Sequence, residues 1–141
     1  MIHYVVDASV VIQHFIPDTF TFNADSLFDE ISKTLEIHVP EFCLLECTNV
    51  LWKQVRFNNL TVADAKASIQ DLLLLPIYVE PAPLLLQRAL EIGVEHQLAV
   101  YDSTYIALAE RLGYPLVTVD ARQETAARAV GIALKPVTDF Q

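Results

Sequence analysis

The residues Ile2-His3-Tyr4-Val5-Val6-Asp7 decide how the rest of the chain is read. Residues 2–6 are mostly β-branched or aromatic and favour a strand, and an acid ends it at once. The same design returns near the other end of the chain as Leu116-Val117-Thr118-Val119-Asp120. Short β-rich runs alternate with helical patterns between them, which is the signature of an α/β fold with a mostly parallel sheet. In such a sheet, loops at the carboxyl ends of the strands carry the site. Asp7 and Asp120 therefore leave on one edge, and they meet if their strands are neighbours.

The intervening elements follow from breakers and caps. Ser9 to Phe15 reads as a helix stopped before Pro17, and Asn23 or Asp25 can cap another through about Lys33. Leu35–Val39 reads as a strand, and Pro40 suits the first turn of a helix over residues 41–57. Asn58-Asn59 is a turn, after which Thr61, with Asp64 three residues on, caps a helix that ends at Pro76. Ile77–Val79 is a short strand. Ala82 to Gln97 is helical, with Gly93 as a weak spot. Asp102–Leu112 is a helix closed by Gly113, Leu116–Val119 a strand, and Ala121–Val130 a helix closed by Gly131. Ile132–Leu134 reads as a last edge strand. No repeat, linker or low-complexity segment interrupts the pattern, so one domain is expected over residues 1–141.

Composition narrows the function. Hydrophobic residues make up 53% of the chain, enough to build a core. The longest uncharged apolar stretch is broken by Pro76 and ends at Glu80, too interrupted to span a bilayer. No basic region precedes Asp7, so no signal or transit peptide is expected, and with only Cys43 and Cys47 a reduced cytoplasmic protein is the expectation. The net charge of −9 argues against a general nucleic-acid coat. The excess is uneven: residues 1–52 hold eight acids and one base, residues 53–141 ten acids and eight bases, which leaves room for a local basic patch.

Two further acids join Asp7 and Asp120. Asp102 starts a helix, where negative charge is favoured. Glu46 lies inside the helix of residues 41–57, in a stripe with Asn49, Lys53 and Arg56 and opposite a face of Leu44, Leu45, Leu51, Trp52 and Val55. Each acid alone has a plain structural reading, as a turn residue, a helix cap or a solvated charge. Four carboxylates on one cleft would repel unless protonated or neutralised by a cation. Hard oxygen donors of this kind suit Mg²⁺ or Mn²⁺, ions that activate water against a phosphodiester.

Competing chemistries lack their residues. Neither the P-loop nor the dinucleotide-binding glycine pattern is present. A haloacid-dehalogenase-type phosphatase needs a second Asp at position 9, which is Ser9, and a receiver domain needs an acidic pair where Asp7 stands alone. His3, His14, His38 and His96 share no metal-ligand spacing, and Cys43 and Cys47 read as buried, inert thiols.

Four segments in order resemble PIN-domain ribonucleases, and more closely the VapC-type toxins of bacterial and archaeal toxin–antitoxin pairs. They are Val5-Val6-Asp7-Ala8-Ser9-Val10, Leu45-Glu46-Cys47-Thr48-Asn49-Val50-Leu51, residues 100–110 around Asp102, and Leu116-Val117-Thr118-Val119-Asp120. The resemblance implies a three-layer α/β/α fold with a mostly parallel five-stranded sheet. It implies metal-binding carboxylates at Asp7, Glu46, Asp102 and Asp120, supported by Ser9, Asn49 and Thr118. It further implies Mg²⁺- or Mn²⁺-dependent endoribonuclease activity, a cognate antitoxin and a homodimer. Lys53, Arg56 and Arg122 are the expected RNA contacts. The alternative is a catalytically silent PIN-like binding or regulatory module.

Overall fold

The computed structural model describes residues 1–141 and contains a parallel sheet of β1 (Ile2–Val6), β2 (Leu35–Pro40), β3 (Tyr78–Glu80) and β4 (Leu116–Val117), in the order β3-β2-β1-β4. β1 is central, and Val5 and Val6 are fully buried, so this strand is apolar on both faces rather than alternating. The chain runs outward from β1 to β2 to β3, then returns to the other side of β1 for β4. That reversal creates a topological switch point between the carboxyl ends of β1 and β4.

Seven helices complete the fold. α1 (Ala8–Val11) and α2 (Thr21–Asp29) link β1 to β2, and α3 (Phe42–Phe57) and α4 (Val62–Leu74) link β2 to β3. α5 (Leu86–His96) and α6 (Val100–Leu112) link β3 to β4, and α7 (Ala121–Val130) follows. Right-handed crossovers in opposite directions place helices on both faces of the sheet. α6 is its central support: residues 103–109 are all buried, and it packs on β1, β2, α5 and α7.

The expected fifth strand is absent, and the sheet has four. Leu134 makes a single parallel bridge to Leu116, through Leu116 N–H to Ala133 and Lys135 N–H to Leu116. Only three residues lie between Gly131 and Lys135, and Pro136 then turns the chain into a 3-10 turn at Val137–Asp139, so no ladder can extend. β4 is also shorter than expected. Beyond Val117 the backbone N–H groups are taken by side chains: Val119 donates to Ser9 Oγ and Asp120 to Thr118 Oγ1.

Several helix ends differ from the sequence reading. The first helix is split into α1 and a 3-10 turn at Ile12–His14. α2 begins at Thr21 instead of after Asn23 or Asp25, because Gln13 Oε1 accepts from Phe20 N–H and fixes the entry. It stops at Asp29, before Ser32 takes a left-handed φ of 67°. The segment after Pro81 is a 3-10 turn at Ala82–Leu85 followed by α5. α6 starts two residues before Asp102. Gly93 is a close-packing point and no mere weak spot: a Cβ there would lie 2.7 Å from the Leu98 carbonyl oxygen and 3.4 Å from Ser103 Oγ. Thr61 does cap α4, accepting from Asp64 N–H.

Candidate active site

Asp7 is where β1 ends and α1 begins. Its Oδ1 accepts from Ser9 N–H as the cap of α1, and its Oδ2 accepts from the Thr118 hydroxyl. The carboxyl is buried, at 5% exposure. Burial pushes it up to about 6, against the lowering effect of the Thr118 and Ser9 bonds, with the Asp120 charge adding to the rise. Thr118 couples two acids, since the hydroxyl that donates to Asp7 also accepts from Asp120 N–H. Ser9 Oγ lies 3.5 Å from Thr118 Oγ1 and accepts from Val119 N–H, tying α1 to the end of β4.

Asp120 caps α7, its Oδ1 accepting from Arg122 N–H at 2.9 Å and Gln123 N–H at 3.3 Å. The plain cap reading and the cleft reading hold together for this residue. Asp102 lies in the first turn of α6, and burial first, then the Asp120 charge, raises its carboxyl above the usual range while Arg122 opposes. Gln123, fully buried, donates from Nε2 to the Asp102 carbonyl at 2.9 Å and so joins the starts of α6 and α7.

Glu46 is placed by α3. The buried stripe of that helix is Cys43, Cys47 and Leu51, whereas Leu45 and Trp52 are 63% and 55% exposed. The face expected from apolar content is therefore displaced. Small thiols leave room for the buried Tyr105 of α6, whose hydroxyl donates to Glu46 Oε1 at 2.8 Å. Burial pushes Glu46 up to about 7; Tyr105 lowers it, and Asp7, Asp102 and Asp120 each raise it. No motif in the sequence alone marks Tyr105 as part of a site. Its signal is its spacing, one turn after Asp102 on the same helix.

Asp7, Glu46, Asp102 and Asp120 line one cleft of about 250 Å³, together with Ser9, Asn49 and Lys53. Their oxygens are splayed around it, and no three acidic groups come within 4.8 Å of one another there. Like charges with one neighbouring ammonium account for that spread. Two expected contacts lie outside the cleft. Arg56 sits 5.7 Å over the Phe57 ring, and the Arg122 guanidinium donates to the Gln97 carbonyl at 3.0 Å in a neighbouring hollow. Beside the acids, sharing Glu46, Asn49 and Asp102, opens an apolar hollow of about 580 Å³ walled by Leu45, Trp52 and the stacked pair Phe42 and Tyr101, centroids 4.5 Å apart.

The donor set is all oxygen, negatively charged and short of compensating cations, which fits a hard divalent ion. Among known proteins, the chain is 30% identical over 118 residues to ribonuclease VapC3 of Pyrobaculum aerophilum, covering 82% of this chain and 88% of the relative. The crystal structure of PAE2754 from the same organism superposes with a TM-score of 0.75 at 25% identity, over 98% of this chain and 85% of that one. VapBC2 from Rickettsia felis, bound to a DNA fragment from its promoter, shares the fold with a TM-score of 0.70 at 13% identity, over 96% of this chain and 98% of that one. The family model for the PIN domain matches residues 4–129, and the chain belongs to the PIN-domain family.

Proposed function

We propose that this chain is a divalent-metal-dependent endoribonuclease of the toxin class, one nuclease domain over residues 1–141, acting at the cleft of Asp7, Glu46, Asp102 and Asp120. The observation that carries this reading is the convergence of these acids at the switch point, two of them raised to about 6 and about 7 by burial. The ribonuclease name of VapC3, over most of both chains, supports the activity. Mg²⁺ or Mn²⁺ would be held by the four carboxylates, and such an ion supplies a Lewis acid that polarises phosphate and activates water.

The chain's own groups supply positioning. Ser9 and Thr118 hold the Asp7 carboxyl in one orientation, and Tyr105 holds Glu46. Asn49 and Lys53, on the next turns of α3, stand at the rim to meet a phosphate. Phe42, Tyr101 and Trp52 offer a stacking wall for a base beside the scissile bond. Arg56 and Arg122 would meet phosphates only farther along the strand.

A protein partner is supported by exposed apolar side chains on α3 and α4, among them Leu45, Trp52, Phe57, Leu73 and Leu74. An antitoxin segment and a second copy of the chain are the partners proposed for these faces. No helix is long and apolar enough to cross a membrane. The proposed location is the cytoplasm, where the two free thiols Cys43 and Cys47 stay reduced.

The test is cleavage of single-stranded RNA with Mg²⁺ or Mn²⁺ titrated into metal-stripped protein. Turnover should appear with the ion, vanish with chelator and be absent from Asp7→Asn. Metal-independent cleavage, or RNA binding without cleavage at any ion concentration, would overturn the reading; the latter would favour the silent binding module.

A further inference from the structure

A second group of ligating side chains lies across β1 and β2, among residues that do not line the acid cleft. The β1–β2 register sets His3 beside Glu36 and Val5 beside His38. Alternate residues share a face, so His3, Glu36 and His38 stand together on it although 35 residues separate the two histidines. No spacing in the sequence reports this; it exists only once the strands pair. His3 is four residues before Asp7, about 13 Å along the strand at about 3.3 Å per residue, and none of the three lines the acid cleft, so the group is separate from it.

His3 Nδ1 is 3.2 Å from His38 Nε2 and 3.3 Å from Glu36 Oε2, and all three ligand atoms fall within 4.8 Å of one another. Two nitrogens on one tetrahedral ion at about 2.0–2.1 Å are about 3.3–3.4 Å apart, so the rings already hold nearly the edge of such a site. The orientation is set from behind. His38 Nδ1 lies 3.2 Å from Glu80 Oε1, and a carboxylate only accepts, so the proton sits on Nδ1 and the Nε2 lone pair faces His3. A carboxylate behind a ligating imidazole is the usual outer support of a metal site. The Tyr78 hydroxyl donates to Glu36 Oε1 at 3.4 Å, leaving Oε2 free to face the histidines. Tyr114 stacks on His3 at 4.6 Å and Tyr78 on His38 at 5.0 Å, holding both rings.

We propose that His3, Glu36 and His38 form a second metal site that takes a borderline divalent ion of the zinc type and clips β1 to β2. Imidazole donors select such an ion over Mg²⁺, which prefers the all-oxygen cleft. His38 is buried, whereas the His3 and Glu36 side chains are 29% and 27% exposed, so the fourth position opens to water or to a partner's donor. His3 would bind through Nδ1 with its ring proton on Nε2.

The test is Zn²⁺ titration of the full chain by calorimetry in excess Mg²⁺, which keeps the acid cleft occupied, together with ¹⁵N spectra of the imidazoles. One Zn²⁺ per chain should bind, shifting the His3 Nδ1 and His38 Nε2 resonances. His3→Ala should weaken it by at least about 100-fold, and Glu80→Gln by about tenfold through loss of the supporting bond. Asp102→Asn should leave it unchanged. His3 is the primary variant because its partial exposure spares the fold, and His3→Gln with a thermal melt in chelator checks that. Absence of Zn²⁺ binding by the unaltered chain, unchanged affinity in a folded His3→Ala, or loss of affinity in Asp102→Asn would each overturn the proposal. None of these readouts depends on RNA cleavage.

Discussion

Asp7 ends a strand, caps a helix and faces like charges, and these demands conflict. The cap and the Thr118 bond favour the carboxylate, while burial favours the protonated acid and prevails. Asp7→Asn keeps an acceptor for Ser9 N–H and removes the buried charge. It should abolish divalent-ion binding at the cleft and lower cleavage by about 100-fold or more, while stability at neutral pH rises by about 1 kcal/mol or more. Calorimetry with Mn²⁺ and urea melts check the two halves separately. The same carboxyls set a pH dependence. Asp7 at about 6 and Glu46 at about 7 hold protons in the folded chain that the unfolded chain has already released above about pH 4. The folded state thus binds more protons between about pH 4 and 7, and the ion-free protein loses stability as pH rises through that window. For the buried Asp7 the loss approaches about 3 kcal/mol. Mn²⁺ affinity should move the opposite way, climbing from pH 5 and levelling just above 7, because the ion needs deprotonated acids. Melts and titrations across pH 4–8 that show flat profiles would contradict these assignments. Tyr105→Phe removes a bond that favours ionised Glu46, so the rise in Mn²⁺ affinity should shift to higher pH.

At the scale of the element, the contrast between α7 and α2 explains which helix ends were legible. Asp120 caps α7 from within its own segment, and that signal is local. The entry of α2 is set by Gln13 seven residues upstream of Phe20, so Asn23 and Asp25 carried a cap pattern that the chain does not use there. Asn23 donates to the Phe140 carbonyl instead, and Asp25 meets His14. Gly93 makes the same point in packing. In an exposed helix, Gly→Ala gains about 1 kcal/mol. Here the added methyl meets backbone at 2.7 Å, where the chain turns from α5 into α6. Gly93→Ala should therefore destabilise by about 1–3 kcal/mol, measured by urea unfolding. A stabilised variant would mean that Leu98 can move aside.

For the whole molecule, apolar content exceeds what the interior accepts. Large apolar side chains remain exposed on α3, α4 and α5, including Trp52, Leu74 and Val94. Light scattering should give at least twice the 15.8 kDa chain mass at micromolar concentration, or a co-purifying partner. A lone 15.8 kDa species would count against these faces as interfaces. Electrostatics act at this scale as well. With a net charge of −9 and Lys53 the cation at the cleft, RNA binding should be weak with a shallow salt slope of roughly −0.7 per neutralised phosphate. Lys53→Ala should flatten that slope by about one such unit on any strand that enters the cleft, whereas Arg56→Ala, placed over Phe57, should flatten it only for strands long enough to run past the cleft.

Local sequence specifies the alternation of strands and helices, the parallel sheet, and the placement of Asp7, Asp102 and Asp120 at element ends. Those are local matters of β-branched runs, caps and breakers, and the order of segments carried the family. Tertiary structure alone decided that β4 is the neighbour of β1, which brings residues 7 and 120 together. It decided that Leu134 makes one bridge and no strand, because Pro136 turns the chain away. It buried Cys43 and Cys47 with Leu51 on α3 and left Leu45 and Trp52 exposed, since burial follows what packs against a helix rather than its apolar count. It also joined His3 to His38 across the sheet, because strand register is a long-range property that no short spacing encodes.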